Sequence, residues 1–143
     1  MRKLIAVLLA VAGIAFDSGV ATAAGNPSWT VPAFENVTGS GTYWLTTEQN
    51  PNAMPGIKEI ILHMRGSLVS TAGSGCRFLY MQNRFYIDDA RPAHTMSPQI
   101  CGSATQTLTI DHWVYADGMN PITVQVCDGD VYHCGATSNL AYS

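Results

Sequence analysis

From Trp29 to Leu140, apolar residues recur mostly at every second position rather than every third or fourth, which is the period of half-buried strands. Leu108, Ile110 and Val114 alternate with polar or amphipathic residues, Asp117-Gly118-Met119-Asn120-Pro121 breaks the pattern, and Ile122, Val124 and Val126 resume it. That is strand, turn, strand, each with one face towards a core. Trp29, Val31 and Ala33 alternate through SWTVPAF, where Pro32 lacks an amide hydrogen. This stretch is therefore predicted as an edge strand or a strand broken by a bulge. Gly39-Ser40-Gly41 is expected to end it, and Thr42 to Thr47 to form the next short strand. Glu48 to Gly56 holds two prolines and two asparagines and reads as exposed loop.

Two segments fit more than one template. In Ile57 to Ser70, Ile57, Ile61, Met64 and Leu68 match a helical stripe while Ile60, Leu62 and Met64 match a strand. Gly66 costs a helix ~1 kcal/mol against alanine, which favours strand. Cys76 to Asp88 carries aromatic residues on both faces. It is either a tight hairpin turning at Gln82-Asn83 or one long central strand. Asp89 to Thr105 reads as an irregular crossing loop, and the run after Cys134 as a last strand with Leu140 and Tyr142 on one face. About seven or eight short strands and no helix predict an all-β antiparallel sandwich.

The N-terminus adds a compartment. Arg2 and Lys3 precede an apolar run from Leu4 to Phe16, and Ala21-Thr22-Ala23 follows, the three parts of a secretory signal peptide. The apolar run is short of the roughly 20 residues of a membrane span. Residues 1–23 are thus expected to be cleaved, leaving 24–143 as a single domain without a transmembrane anchor. That part has five basic residues against nine acidic ones, a net charge of about −4. Nucleic acid is excluded as a partner, since phosphate contacts need a basic surface.

All four cysteines, Cys76, Cys101, Cys127 and Cys134, lie in the exported part, so two disulfides are expected. If Ile122, Val124 and Val126 point inward, Cys127 points outward and meets its partner across the adjoining loop. The pairing Cys127–Cys134 with Cys76–Cys101 follows, against two crossed alternatives. The compartment oxidises thiols and no CxxC pair exists, which argues against a thiolate metal site.

The run from Tyr115 to Asp128, YADGMNPITVQVCD, resembles the next-to-last hairpin of bacterial immunoglobulin-like and fibronectin type III-like domains. In those domains a glycine and asparagine turn precedes an alternating Ile/Val strand that ends in an acidic residue. The resemblance implies an immunoglobulin-like β-sandwich with a binding or structural role. It covers one hairpin; the tyrosine expected near the start of the Ile122 strand and the Cys-Trp-Cys spacing of antibody domains are both missing. Tyr142 is also similar to the penultimate tyrosine of chaperone-assembled pilus subunits.

Candidate chemistry is thin. Asp128-Gly129-Asp130 could offer two carboxylates to calcium, but the rest of an EF-hand loop is missing, and two acids flanking a glycine equally make a turn. His112 interrupts an inward-facing set and reads as a partly buried neutral histidine, with an acid/base dyad to Asp88 or Asp111 as the functional alternative. Adjacent strand residues face opposite ways, so Asp111 cannot readily orient its neighbour. Zinc from His63, His94, His112 and His133 lacks ligand spacing. No serine sits in a G-x-S-x-G turn.

Aromatic residues carry more. Trp29, Tyr43, Trp44, Tyr80, Tyr86, Trp113 and Tyr115 exceed what one strand face can hide, so some should lie at the surface, where planar rings stack on sugars or anchor interfaces. Tyr43, Trp44, Tyr80 and Tyr86 are the candidate binding strip. The chain is therefore expected to be a secreted or cell-envelope binding or assembly domain, an adhesion or structural subunit without a cofactor. Its expected partner is a protein, a polysaccharide or further copies of itself. A carbohydrate-binding module and a small secreted hydrolase are the alternatives.

Overall fold

The computed structural model describes residues 25–49, 55–56, 58–84, 92–115 and 121–141. The expected signal peptide, Tyr86, Asp88 and Tyr142 lie outside the described residues. Among those described there is no helix, and nine strands run in order: β1 Ser28–Phe34, β2 Val37–Gln49, β3 Lys58–Ser70, β4 Cys76–Asn83, β5 Ala93–Met96, β6 Ile100–Cys101, β7 Ala104–Val114, β8 Ile122–Asp128 and β9 Ser138–Leu140. Every pairing is antiparallel. A first sheet has the order β1-β2-β3-β7 and a second β5-β4-β8-β9, with β6 beside β4. The strand order is not that of an immunoglobulin constant domain, where the first sheet takes the first, second, fifth and fourth strands. Here three consecutive strands are neighbours.

The first hairpin turns earlier than its glycines suggest. Glu35 and Asn36 have φ of 50° and 61°, and Phe34 faces Val37, a two-residue turn of the mirror-image kind that suits right-twisted strands. Gly39-Ser40-Gly41 therefore ends nothing; β2 runs through it. The glycines serve packing instead. A Cβ at Gly41 would lie 1.9 Å from the Arg65 carbonyl oxygen, and one at Gly66, directly opposite, 2.2 Å from that of Ser40. A Cβ at Gly39 would meet the Trp29 ring at 3.1 Å. Trp29, 2 % exposed, donates its indole N–H to the Arg65 carbonyl at 3.2 Å. Pro32 falls where the β1 register shifts, between Val31 and Phe34, on an edge strand as its missing donor requires.

Of the ambiguous Ile57 to Ser70 segment, Ile57 lies outside the described residues and Lys58 to Ser70 is strand, pairing β2 along its length. The Gln82-Asn83 turn does not form: Phe78 to Asn83 stay on β4, with β8 on one side and β5 on the other. Asn83 is fully buried, and its Oδ1 accepts the Tyr115 N–H at 2.7 Å, tying β4 to the end of β7. The crossing loop expected before β7 contains β5 and β6.

One core lies between the sheets, built from Trp29, Val37, Leu62, Met64 and Leu68 of the first and Leu79, Met81, Ile122, Val124 and Val126 of the second. The margins also meet, β1 beside β8 and β9, and β7 beside β5 and β6. Both disulfides have the expected pairing, Cys76–Cys101 and Cys127–Cys134. Cys127 stands on the outer face beside Phe78 yet is fully buried, because the 128–134 loop folds back over it. Asp128 N–H donates to the His133 carbonyl at 2.9 Å and Gly135 N–H to that of Val126 at 2.8 Å, which closes the loop.

Candidate binding face

The outer face of the first sheet carries the polar alternates of β2, β3 and β7, and register aligns them in rows. Trp44 faces His63, which faces Asp111; the next row is Thr46, Ile61 and Trp113; the row on the other side is Thr42, Arg65 and Thr109. Further along come Ser40, Ser67 and Thr107, then Thr38, Val69 and Thr105. Trp113 is 40 % exposed and packs edge-on against Tyr115 at 5.2 Å; Val69 is 39 % exposed at the other end.

The centre of this face is hydrogen-bonded throughout. Asp111 Oδ1 lies 2.6 Å from His63 Nδ1, and because a carboxylate only accepts, Nδ1 carries the proton. Asp111 also receives Arg65 Nη2 at 2.8–3.0 Å. Partial burial pushes the Asp111 carboxyl up, but the His63 and Arg65 hydrogen bonds and charges more than reverse this, holding it below the usual range. His63 Nε2 lies 2.7 Å from Thr46 Oγ1, which donates to Glu48 Oε1 at 3.1 Å. Thr46 has one hydroxyl proton, so its contact with the ring and its contact with Glu48 share it. The imidazole stacks on Trp44 at 5.1 Å, and the Arg65 guanidinium lies 5.3 Å from the Trp44 ring centroid.

Carboxylate, imidazole and hydroxyl in that order also match a nucleophile relay. The two carboxylate side chains, however, are 46 % and 56 % exposed, and charge stabilisation of a reacting oxyanion depends on excluding water. The Thr46 proton is moreover shared with Glu48. The arrangement is a polar ladder that runs from Arg65 through Asp111 and His63 to Thr46 and Glu48.

Of the expected aromatic strip, Tyr86 lies outside the described residues, and the other three do not come together. Trp44 is on this face, but its neighbour Tyr43 turns into the core and is 3 % exposed. Its inner-face neighbours Val37, Gly39, Gly41 and Leu45 were the signal for that. Tyr80 lies on the outer side of the second sheet, is 7 % exposed, and sits under a cover with Phe78 and Cys127; burial pushes its phenol up, Arg84 lowers it and Tyr132 raises it again. Trp113, 40 % exposed, is the ring that the first sheet presents, and Tyr132 on the loop after β8 is more exposed still, at 94 %. His112 faces inward, half-buried, and burial with the nearby His94 holds its imidazole below the ordinary value. Asp111 orients His63 instead of His112.

Asp130 Oδ1 accepts the N–H groups of Tyr132 and His133 at 2.8 and 2.9 Å and so serves the turn, while Asp128 pairs with Arg77 of β4 at 3.5 Å. Among the described residues no group of three or more His, Cys, Asp or Glu could hold a metal ion. Comparison with protein-family models, curated proteins and solved structures finds no match.

Proposed function

We propose that the chain is an exported, non-catalytic binding or assembly domain that meets its partner with the outer face of the first sheet. The observation that carries this reading is Trp113, 40 % exposed one row from Trp44 on a face rich in polar and hydroxyl side chains. Exposed aromatic rings beside hydrogen-bonding groups are the kind of residue that forms the energetic centre of an interface. Two disulfides are compatible with an oxidising environment outside the cytoplasm, and the N-terminal leader pattern supports export. No helix among the described residues is long and apolar enough to cross a membrane.

Within this reading a polysaccharide partner is favoured by the rows of Thr and Ser around the tryptophans, which supply donors and acceptors at sheet spacing beside a ring for stacking. The alternative is a protein partner, including further copies of the chain. Pull-down on a panel of insoluble polysaccharides, run beside light scattering at high concentration, tests both. Retention on one polysaccharide, or self-association, is expected for the native protein and is lost in Trp113→Ala. A monodisperse monomer retained by nothing, or an unchanged Trp113→Ala variant, contradicts the proposal.

A further inference from the structure

The outer face of the second sheet holds a second feature, independent of the tryptophan face. Phe78 and Cys127 point outward there yet are only 4 % and 0 % exposed, which outward side chains reach only under a cover. Two segments provide it, Met96 to Gln99 at and beyond the end of β5, and the loop after β8. Between them opens a cavity of about 420 Å³, with Phe78 as its floor, Met96 and Gln99 on one side and Asp130 and Val131 on the other. That volume lies within the roughly 300–1,000 Å³ of small-molecule sites.

Both walls are fixed before a ligand arrives. Cys127–Cys134 closes the loop of one, and Cys76–Cys101 anchors the far end of the other. Ser97 N–H donates to the Leu79 carbonyl at 2.9 Å while Ser97 Oγ accepts the Leu79 N–H at 2.9 Å, pinning that segment to β4. A cavity held this way loses little conformational freedom on binding.

The lining is apolar except at a few points, and its charge has one sign. Ser97 is committed to the backbone; it also donates to the Pro98 carbonyl at 2.8 Å. Asp128, outside the lining, pairs with Arg77 at 3.5 Å, a guanidinium that Glu35 shares at 3.0 Å. Asp130 is held by two backbone amides through Oδ1 and has no ion-pair partner among the described residues, which leaves its second oxygen for a donor. We propose that this cavity binds a small organic cation, with an aromatic or branched alkyl group on Phe78, Met96 and Val131 and a primary ammonium on the Asp130 carboxylate. A hydrogen bond between two charged groups beside an apolar wall favours the amine over neutral or anionic ligands of the same shape.

Tryptamine, its neutral isostere tryptophol and the anion indole-3-acetate serve as probes, titrated into the disulfide-bonded protein while the Met96 and Val131 methyl signals are followed by NMR. Tryptamine is expected to shift both methyls saturably, tryptophol to bind about tenfold more weakly or worse, and indole-3-acetate to leave them unmoved. Asp130→Asn keeps an oxygen for the two amides, so the loop persists while the preference for tryptamine over tryptophol disappears. Met96→Arg, at a position 53 % exposed, places a cation at the mouth and abolishes the tryptamine shift of the Val131 methyls, the reporter that this variant keeps. The proposal is overturned if no saturable shift appears at these methyls, if tryptophol binds as tightly as tryptamine, or if Asp130→Asn keeps the native preference.

Discussion

Tyr43 shows how much one hydroxyl can hold. Its Oη donates to the Ala141 carbonyl and accepts the Ala141 N–H, both at 3.0 Å, across a sequence separation of 98 residues. Tyr43→Phe keeps the ring in the core and leaves both backbone groups of Ala141 without that partner, so a loss of about 1–3 kcal/mol is expected in urea unfolding. An unchanged midpoint would show that water replaces the hydroxyl. His112 gives a prediction in pH. Its folded value lies below the ordinary ~6.5, so the unfolded chain binds the proton first as pH falls. The stability it contributes is present above ~6.5 and is lost as pH falls from there through the lower folded value. His112→Gln should remove that part of the acid sensitivity, read as the difference between the two proteins' unfolding curves across pH 7 to 5, approximately the range in which histidine titrates. At this scale the sequence showed that aromatics crowd both strand faces, but adjacent Tyr43 and Trp44 had to divide between inside and outside. Which went where depended on the phase of β2, and the misread turn at Gly39 hid that phase.

The β2–β3 pair is where the elements depend most on single atoms missing from the chain. With Gly41 and Gly66 directly opposed and the backbones in close approach, Gly66→Ala drives a methyl into the Ser40 carbonyl. A loss of about 2–4 kcal/mol is expected in thermal or denaturant unfolding. Gly73→Ala, where an added Cβ meets nothing within 4 Å, is the control and should stay within ~0.5 kcal/mol. Strand identity was legible from period-two alternation, and so was the disulfide at the end of β8, since parity alone put Cys127 outside. Pairing was not legible. His63 and Asp111 stand 48 residues apart and meet only because β3 aligns with β7 in one register, which a pattern of alternating residues leaves open. His63 stood out in the sequence only as one of four scattered histidines.

For the molecule as a whole, the two disulfides should differ in worth. Cys76–Cys101 spans 25 residues and Cys127–Cys134 spans 7. Restricting the unfolded chain gives about 3.5 kcal/mol for the longer loop and about 2.4 kcal/mol for the shorter. Replacing Cys76 and Cys101 by alanine should therefore lower stability by about 1 kcal/mol more than replacing Cys127 and Cys134. The reverse order would mean that the shorter loop acts through the native state, where it covers Phe78 and Tyr80. At this scale too, an all-β antiparallel chain was readable from turns and strands, whereas the strand order was not, because a single hairpin that resembles a known family says nothing about which sheet its neighbours join.

The three tryptophans sit at three depths, and that gives the protein its own optical reporters. Trp29 is sealed in the core, Trp44 is half-buried beneath an imidazole, and Trp113 faces solvent. A soluble collisional quencher should therefore reach Trp113 readily and Trp29 only after unfolding. Occupancy of the first sheet would dim that accessible fraction, and a cation lodged on the second sheet would leave it untouched. One emission spectrum, taken with and without quencher, can thus tell the two surfaces apart without a label.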